Sequence, residues 1–160
     1  MFPTFAPKAP RRSTGLTVIE LLLVVAMIGV LVALALPKYQ SYQERIKQTH
    51  AIQDITVLQA LIRDYQLNNG SYPASLAEVG NADRLDPWGH PYVYQELASV
   101  KGHGKARKDR KLNPLNSDFD LYSVGKDGDS KTQLTNKLSL DDVVRANDGA
   151  FVGLAADYTH

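Results

Sequence analysis

The 160-residue sequence contains no cysteine. A disulfide, a thiolate metal site and a cysteine nucleophile are therefore excluded. Nor does one sign of charge dominate, since Lys and Arg number 18 and Asp and Glu 17. That balance gives no general reason to expect a nucleic-acid partner. The histidines, His50, His90, His103 and His160, show no ligand spacing such as HExxH. No G-x-S-x-G elbow, P-loop or dinucleotide fingerprint occurs. With no catalytic motif to assign, the sequence reads as a non-enzyme. A small domain without disulfides must be held by its apolar core, by a metal or by neighbours in an assembly.

What the sequence does have is one long apolar run. From Leu16 to Leu36 every residue except Thr17 and Glu20 is apolar or Gly. As a helix this run spans about 30 Å, the thickness of a bilayer core. Lys8, Arg11 and Arg12 precede it with no acid among the first fifteen residues. By the positive-inside rule the N-terminus stays cytoplasmic and the rest of the chain lies outside. A soluble domain of this size could hardly surround a helix that is apolar on all faces.

Two export readings follow. An ordinary signal peptide would be cut behind the run, where Ala33-Leu34-Ala35 is loosely small-x-small. Alternatively the cut comes before the run, after Gly15, and the helix is kept. Glu20 favours the second reading. A carboxylate at depth in a membrane helix costs several kcal/mol unless it finds a partner. Cutting after Gly15 creates an α-amino group one helical turn from Glu20. That amine, on the same or a neighbouring chain, can neutralise the acid and set the register of side-by-side helices.

Gly15 followed by LTVIELLLVVAMIGVLVALALPKY resembles the N-terminal signature of type IV pilins and type II secretion pseudopilins. In that family a prepilin peptidase cuts after the glycine and methylates the new first residue. The resemblance makes Gly15 and Leu16 the processing site. It also carries the family's assembly glutamate onto Glu20 and its helix proline onto Pro37. Leu16 stands where the family usually has Phe.

Beyond Pro37 the pattern turns one-sided. Tyr39, Tyr42, Ile46, Ile52, Ile55, Leu58, Ile62 and Tyr65 recur mostly at three- and four-residue steps. This predicts an amphipathic continuation of the helix, loosened or kinked at Pro37 and stopped at Asn68-Asn69-Gly70. A helical turn is expected at 75–79, and strands begin at Pro91 and at Asp118. The segment Lys101–Lys111 holds six Lys/Arg and one Asp and reads as an exposed loop. It could meet DNA, acidic headgroups or an acidic neighbour, but it lacks the interleaved aromatics of a nucleic-acid platform. Residues 126–142 read as an Asp-bearing loop anchored by Leu134, Leu138 and Leu140. Asn147-Asp148-Gly149 marks a turn before a last short strand in 150–155.

The head motifs SYP, DPWGHPYVY and DLYSVGKDG narrow the resemblance to the major pseudopilin of type II secretion. Asp86, Pro87, Trp88, Gly89, Pro91 and Tyr92 match its turn into the sheet, with His90 where Asn is commoner. The resemblance implies an α+β, pilin-like fold. A long N-terminal helix, membrane-spanning in its first half, would pack on a small antiparallel sheet with an Asp-rich C-terminal loop. The expected organisation is a leader at 1–15, a transmembrane half-helix at 16–37, an amphipathic half at 38–69 and a periplasmic head at 70–160.

It also implies calcium in that loop. Ser123, Gly125, Asp127 and Gly128 match the first part of the family's pattern, and Asp141 or Asp142 before Val143 could supply the second. The family's intervening glycine-rich stretch is replaced by DSKTQLTNKLSL. An EF-hand is excluded, because Thr132 stands where its Gly belongs and Leu138 where its Glu belongs. The alternative is that these aspartates cap turns. The implied partners are further copies of the chain in a filament, minor pseudopilins, the prepilin peptidase, the inner-membrane assembly platform and the membrane itself. The implied role is a structural subunit of a type II secretion pseudopilus, the alternative being a pilin of a type IV pilus in adhesion, motility or DNA uptake.

Overall fold

The computed structural model describes residues 15–98 and 104–158. Most of the expected leader, including Lys8, Arg11 and Arg12, lies outside the described residues, as do Lys101, His103 and His160. The chain divides into two units, Met1–Ser41 and Tyr42–His160. Helix α1, Val18–Asn69, contributes to both.

In the first unit the α1 residues are exposed from Val18 to Ser41. From Val18 to Leu36 they lack the polar face of a surface helix. The helix continues through Pro37. Proline has no N–H to give the preceding turn, and the Pro37 carbonyl accepts from Ser41 Oγ at 3.0 Å.

In the second unit α1 becomes one-sided. Ala51, Ile55, Leu58 and Ile62 are buried at steps of four, three and four residues, which is one helical face. Ile52 packs beside them, whereas Tyr39 and Tyr42 are exposed and lie outside the buried stripe. The helix ends where Gly70 takes φ 77°, a left-handed value suited to glycine.

The buried face of α1 packs on an antiparallel sheet of β1 (Val93–Glu96), β2 (Phe119–Ser123), β3 (Val143–Ala146) and β4 (Phe151–Leu154), in that order. Alternation sets its two faces. Phe119, Leu121 and Val143 join the helix residues with Leu76 and Tyr92. Val144 and Ala146 turn the other way, into a second cluster with Leu115, Leu134 and Ala155. Asn147-Asp148-Gly149, all at positive φ, turns β3 into β4.

Two expectations need correction, and one strand lies where none is expected. Strand β3 was not anticipated, because VVRA is short and flanked by charges. Its Arg145 is fully buried, lies 3.9 Å over the Phe119 ring and forks onto both oxygens of Asp118. The basic segment 101–111 is not uniformly exposed, since Ala106 and Arg107 are buried. Of the three proposed leucine anchors only Leu134 is buried; Leu138 and Leu140 face solvent.

Candidate assembly and processing site

Gly15 and Leu16 are exposed and lie just before α1. A Cβ placed on Gly15 would meet nothing within 4 Å among the described residues.

Thr17 caps the helix that follows. Its backbone N–H and its hydroxyl both donate to Glu20 Oε2 at 2.8 Å, and the Glu20 N–H donates to Thr17 Oγ1 at 3.3 Å. This is the reciprocal capping box, T-x-x-E, in which two orphan donors at a helix start are satisfied at once. The pattern is visible in Thr17-Val18-Ile19-Glu20 but is masked by the apolar run that surrounds it. The carboxylate is thus held by its own chain in the single subunit. Around it Leu16, Val18, Ile19, Leu21, Leu22 and Leu23 are all more than half exposed. This half-helix is the one segment among the described residues long and apolar enough to cross a membrane.

The head carries a second constellation at Asp86–Tyr92. Asp86 is buried; its Oδ1 accepts from Trp88 N at 3.0 Å and His90 N at 2.8 Å, and its Oδ2 accepts from Ser123 Oγ at 2.5 Å. Gly89 takes φ 97°, which lets the chain reverse. Trp88 Nε1 donates to Glu44 Oε1 on α1 at 2.8 Å, and Tyr92 Oη donates to Asp54 Oδ2 at 2.8 Å. Arg84 pairs with the same Asp54. The turn therefore fastens β2 and α1 together.

The four side chains suggested for calcium go to separate partners. Ser123 donates to Asp86. Asp127 Oδ1 accepts from Asp129 N at 2.9 Å. Asp141 Oδ2 accepts from Lys126 N at 2.9 Å and Asp127 N at 3.1 Å. Asp142 Oδ2 accepts from Arg107 Nη2 at 2.6 Å and Ser130 Oγ at 2.5 Å. Among the described residues no three His, Asp or Glu side chains gather as a cation site. This donor set, with one carboxylate already facing a guanidinium, does not fit an ion as it stands. Burial pushes the Asp142 carboxyl up to about 6, against the pull of Arg107 and Ser130. Gly125 is needed by the loop, since a Cβ there would lie 2.5 Å from the Asp141 carbonyl oxygen.

Comparison with known proteins gives a consistent answer. The chain is 31% identical over 139 residues to the type II secretion system core protein G of Pseudomonas aeruginosa, covering 74% of this chain and 87% of that protein. It is 29% identical over 147 residues to the protein of the same name from Escherichia coli, covering 79% and 90%. It is also 28% identical over 148 residues to a fimbrial protein of Neisseria meningitidis, covering 89% and 85%. No family model and no solved structure matches.

Proposed function

The chain belongs to the family of type II secretion system core protein G, and from that premise we propose how it works. It is a structural subunit of a type II secretion pseudopilus, assembled through α1. The observation that carries the reading is an exposed apolar half-helix, with a capped carboxylate one turn inside its start, on the same chain as a cross-braced head.

Before assembly, Leu16–Leu36 rests in the inner membrane. Lys8, Arg11 and Arg12 keep the N-terminus cytoplasmic and the head lies in the periplasm. A prepilin peptidase cuts after Gly15 and the new Leu16 amine is methylated. On assembly, subunits leave the bilayer and pack these helices together, exchanging lipid contacts for protein contacts of equal apolarity. Glu20 then meets the α-amine of a neighbouring subunit, which aligns the incoming chain. Minor pseudopilins and the inner-membrane assembly platform act as partners. The growing filament pushes folded proteins outward.

The fimbrial relative supports a second reading, a type IV pilus subunit. Mass analysis of the mature chain and a deletion strain together test both. The expected result is a methylated N-terminus at Leu16 and loss of protein export to the medium. Loss of adhesion, motility or DNA uptake with export intact would favour the pilus. A mature N-terminus at Leu36 would remove both readings.

A further inference from the structure

The segment 125–142 has to be closed by something, because it is long, polar and without a disulfide. We infer that Arg107 is the internal cation that closes it, so that the order of this loop does not depend on a bound metal. Arg107 is only 2% exposed although it lies in the basic stretch 101–111. Its guanidinium reaches three places at once. Nη2 donates to Asp142 Oδ2 at 2.6 Å, Nη1 donates to Ser130 Oγ at 2.8 Å, and the plane stacks 4.1 Å over the Tyr122 ring on β2. Ser130 also donates to Asp142 Oδ2 at 2.5 Å, which completes a three-membered ring of contacts. The main chain of Arg107 is fixed as well. Its N–H donates to Asp120 Oδ2 at 2.7 Å, and its carbonyl accepts from Leu115 N at 2.7 Å.

An interior point of the loop and its C-terminal end are therefore drawn to one positive charge that the chain supplies itself. Ser130 lies inside the loop and Asp142 at its end. Of the other loop carboxylates, Asp141 accepts from the N–H groups of Lys126 and Asp127, and Asp127 accepts from the N–H of Asp129. Among the described residues, the buried side-chain atoms without a hydrogen-bond partner are one donor and one acceptor of the same pair, Arg107 Nε and Asp142 Oδ1. An ion ligated by Asp142 would sit against the guanidinium and be repelled by it.

The test uses the full processed chain in detergent, melted in calcium and in chelator. The wild type should melt at one temperature in both. Arg107→Met strands the Asp142 carboxylate in an apolar setting and should lower the melting temperature, because breaking one side of a buried pair is far worse than replacing both. Arg107→Met with Asp142→Leu should regain most of that loss, a coupling that independent sites would not show. A wild type that melts higher in calcium overturns the inference, as does a double variant no more stable than Arg107→Met. If Arg107→Met does not fold, amide exchange of the wild type at Lys126 and Asp127 decides the matter. Equal protection in calcium and chelator supports the inference, and protection lost in chelator overturns it.

Discussion

Asp86 shows how much of this head rests on single buried acceptors. One carboxylate holds the Trp88 and His90 amides and the Ser123 hydroxyl. Asp86→Ala leaves these donors unmatched in a buried place, at a cost on the order of 3 kcal/mol. Trp88 is the sole tryptophan and its indole bonds to Glu44. Its emission should therefore shift to the red as the turn loosens, and the denaturation midpoint should fall. An unchanged spectrum and midpoint would show that the turn holds without its acid. Asp148 gives a residue-scale prediction of another kind. Burial alone would raise its carboxyl, but the Ser117 N–H and hydroxyl and the Arg145 charge outweigh that and leave it below the usual carboxylate range. A carboxyl lowered on folding contributes stability that is present above its unfolded value, about pH 4, and is lost as pH falls through the folded one. Acid should thus unfasten the β3–β4 corner. Asp148→Asn should flatten this acid limb of the melting curve, since Asn tolerates the left-handed φ of 55° found here. An acid limb of unchanged steepness in the variant would assign the loss to other groups.

Among the elements, α1 was the most legible, for a physical reason. A helix that is apolar on every face and then on one face carries its environment in its periodicity. That periodicity makes a paired prediction. Ile55→Ala opens a cavity in the core and should cost about 2–5 kcal/mol, whereas Val57→Ala on the exposed side should cost much less; equal losses by denaturant melts would contradict the facing of the helix. Glu20→Ala should insert in the membrane as well as the wild type or better, yet give fewer filaments, counted by microscopy or cross-linking. Normal filament yield would remove Glu20 from the assembly site. The strands were harder to read. β1 and β2 carry aromatic and apolar signals, but β3 places a fully buried Arg145 in the middle of a core strand. A charge read locally implies solvent. Only the distant Asp118 and Phe119 reveal that this one is satisfied inside. Arg107 was hidden in the same way, in a run of lysines and arginines of which Lys105, Arg110 and Lys111 do face water. The proposed processing glycine and the assembly glutamate and proline can be singled out in the sequence because they lie at fixed spacing in one segment. The loop contacts were not, because Asp142 finds its partner 35 residues away.

For the whole molecule, the absence of cysteine becomes an experimental opening. Any introduced thiol is unique, so its accessibility reports one place in one protein. The proposed topology sets a basic N-terminus in the cytoplasm, Leu16–Leu36 in lipid or in a filament core, and the head in the periplasm. Lys137 is exposed on the head and Val30 lies in the middle of the apolar run. Neither makes a contact on which the fold depends: Lys137 sits in a short turn capped by Asn136, and the Val30 side chain meets mainly solvent in the isolated chain. A membrane-impermeant maleimide added to cells with a permeabilised outer membrane should label Lys137→Cys and leave Val30→Cys untouched. The second thiol should react only after the protein is denatured, because both lipid and packed neighbours exclude a charged reagent. If Lys137→Cys is protected until the inner membrane is opened, the head is cytoplasmic and the export reading is wrong. If Val30→Cys reacts as fast as Lys137→Cys in native cells, the apolar run is covered neither by lipid nor by neighbouring helices, and α1 is not the element through which this chain assembles.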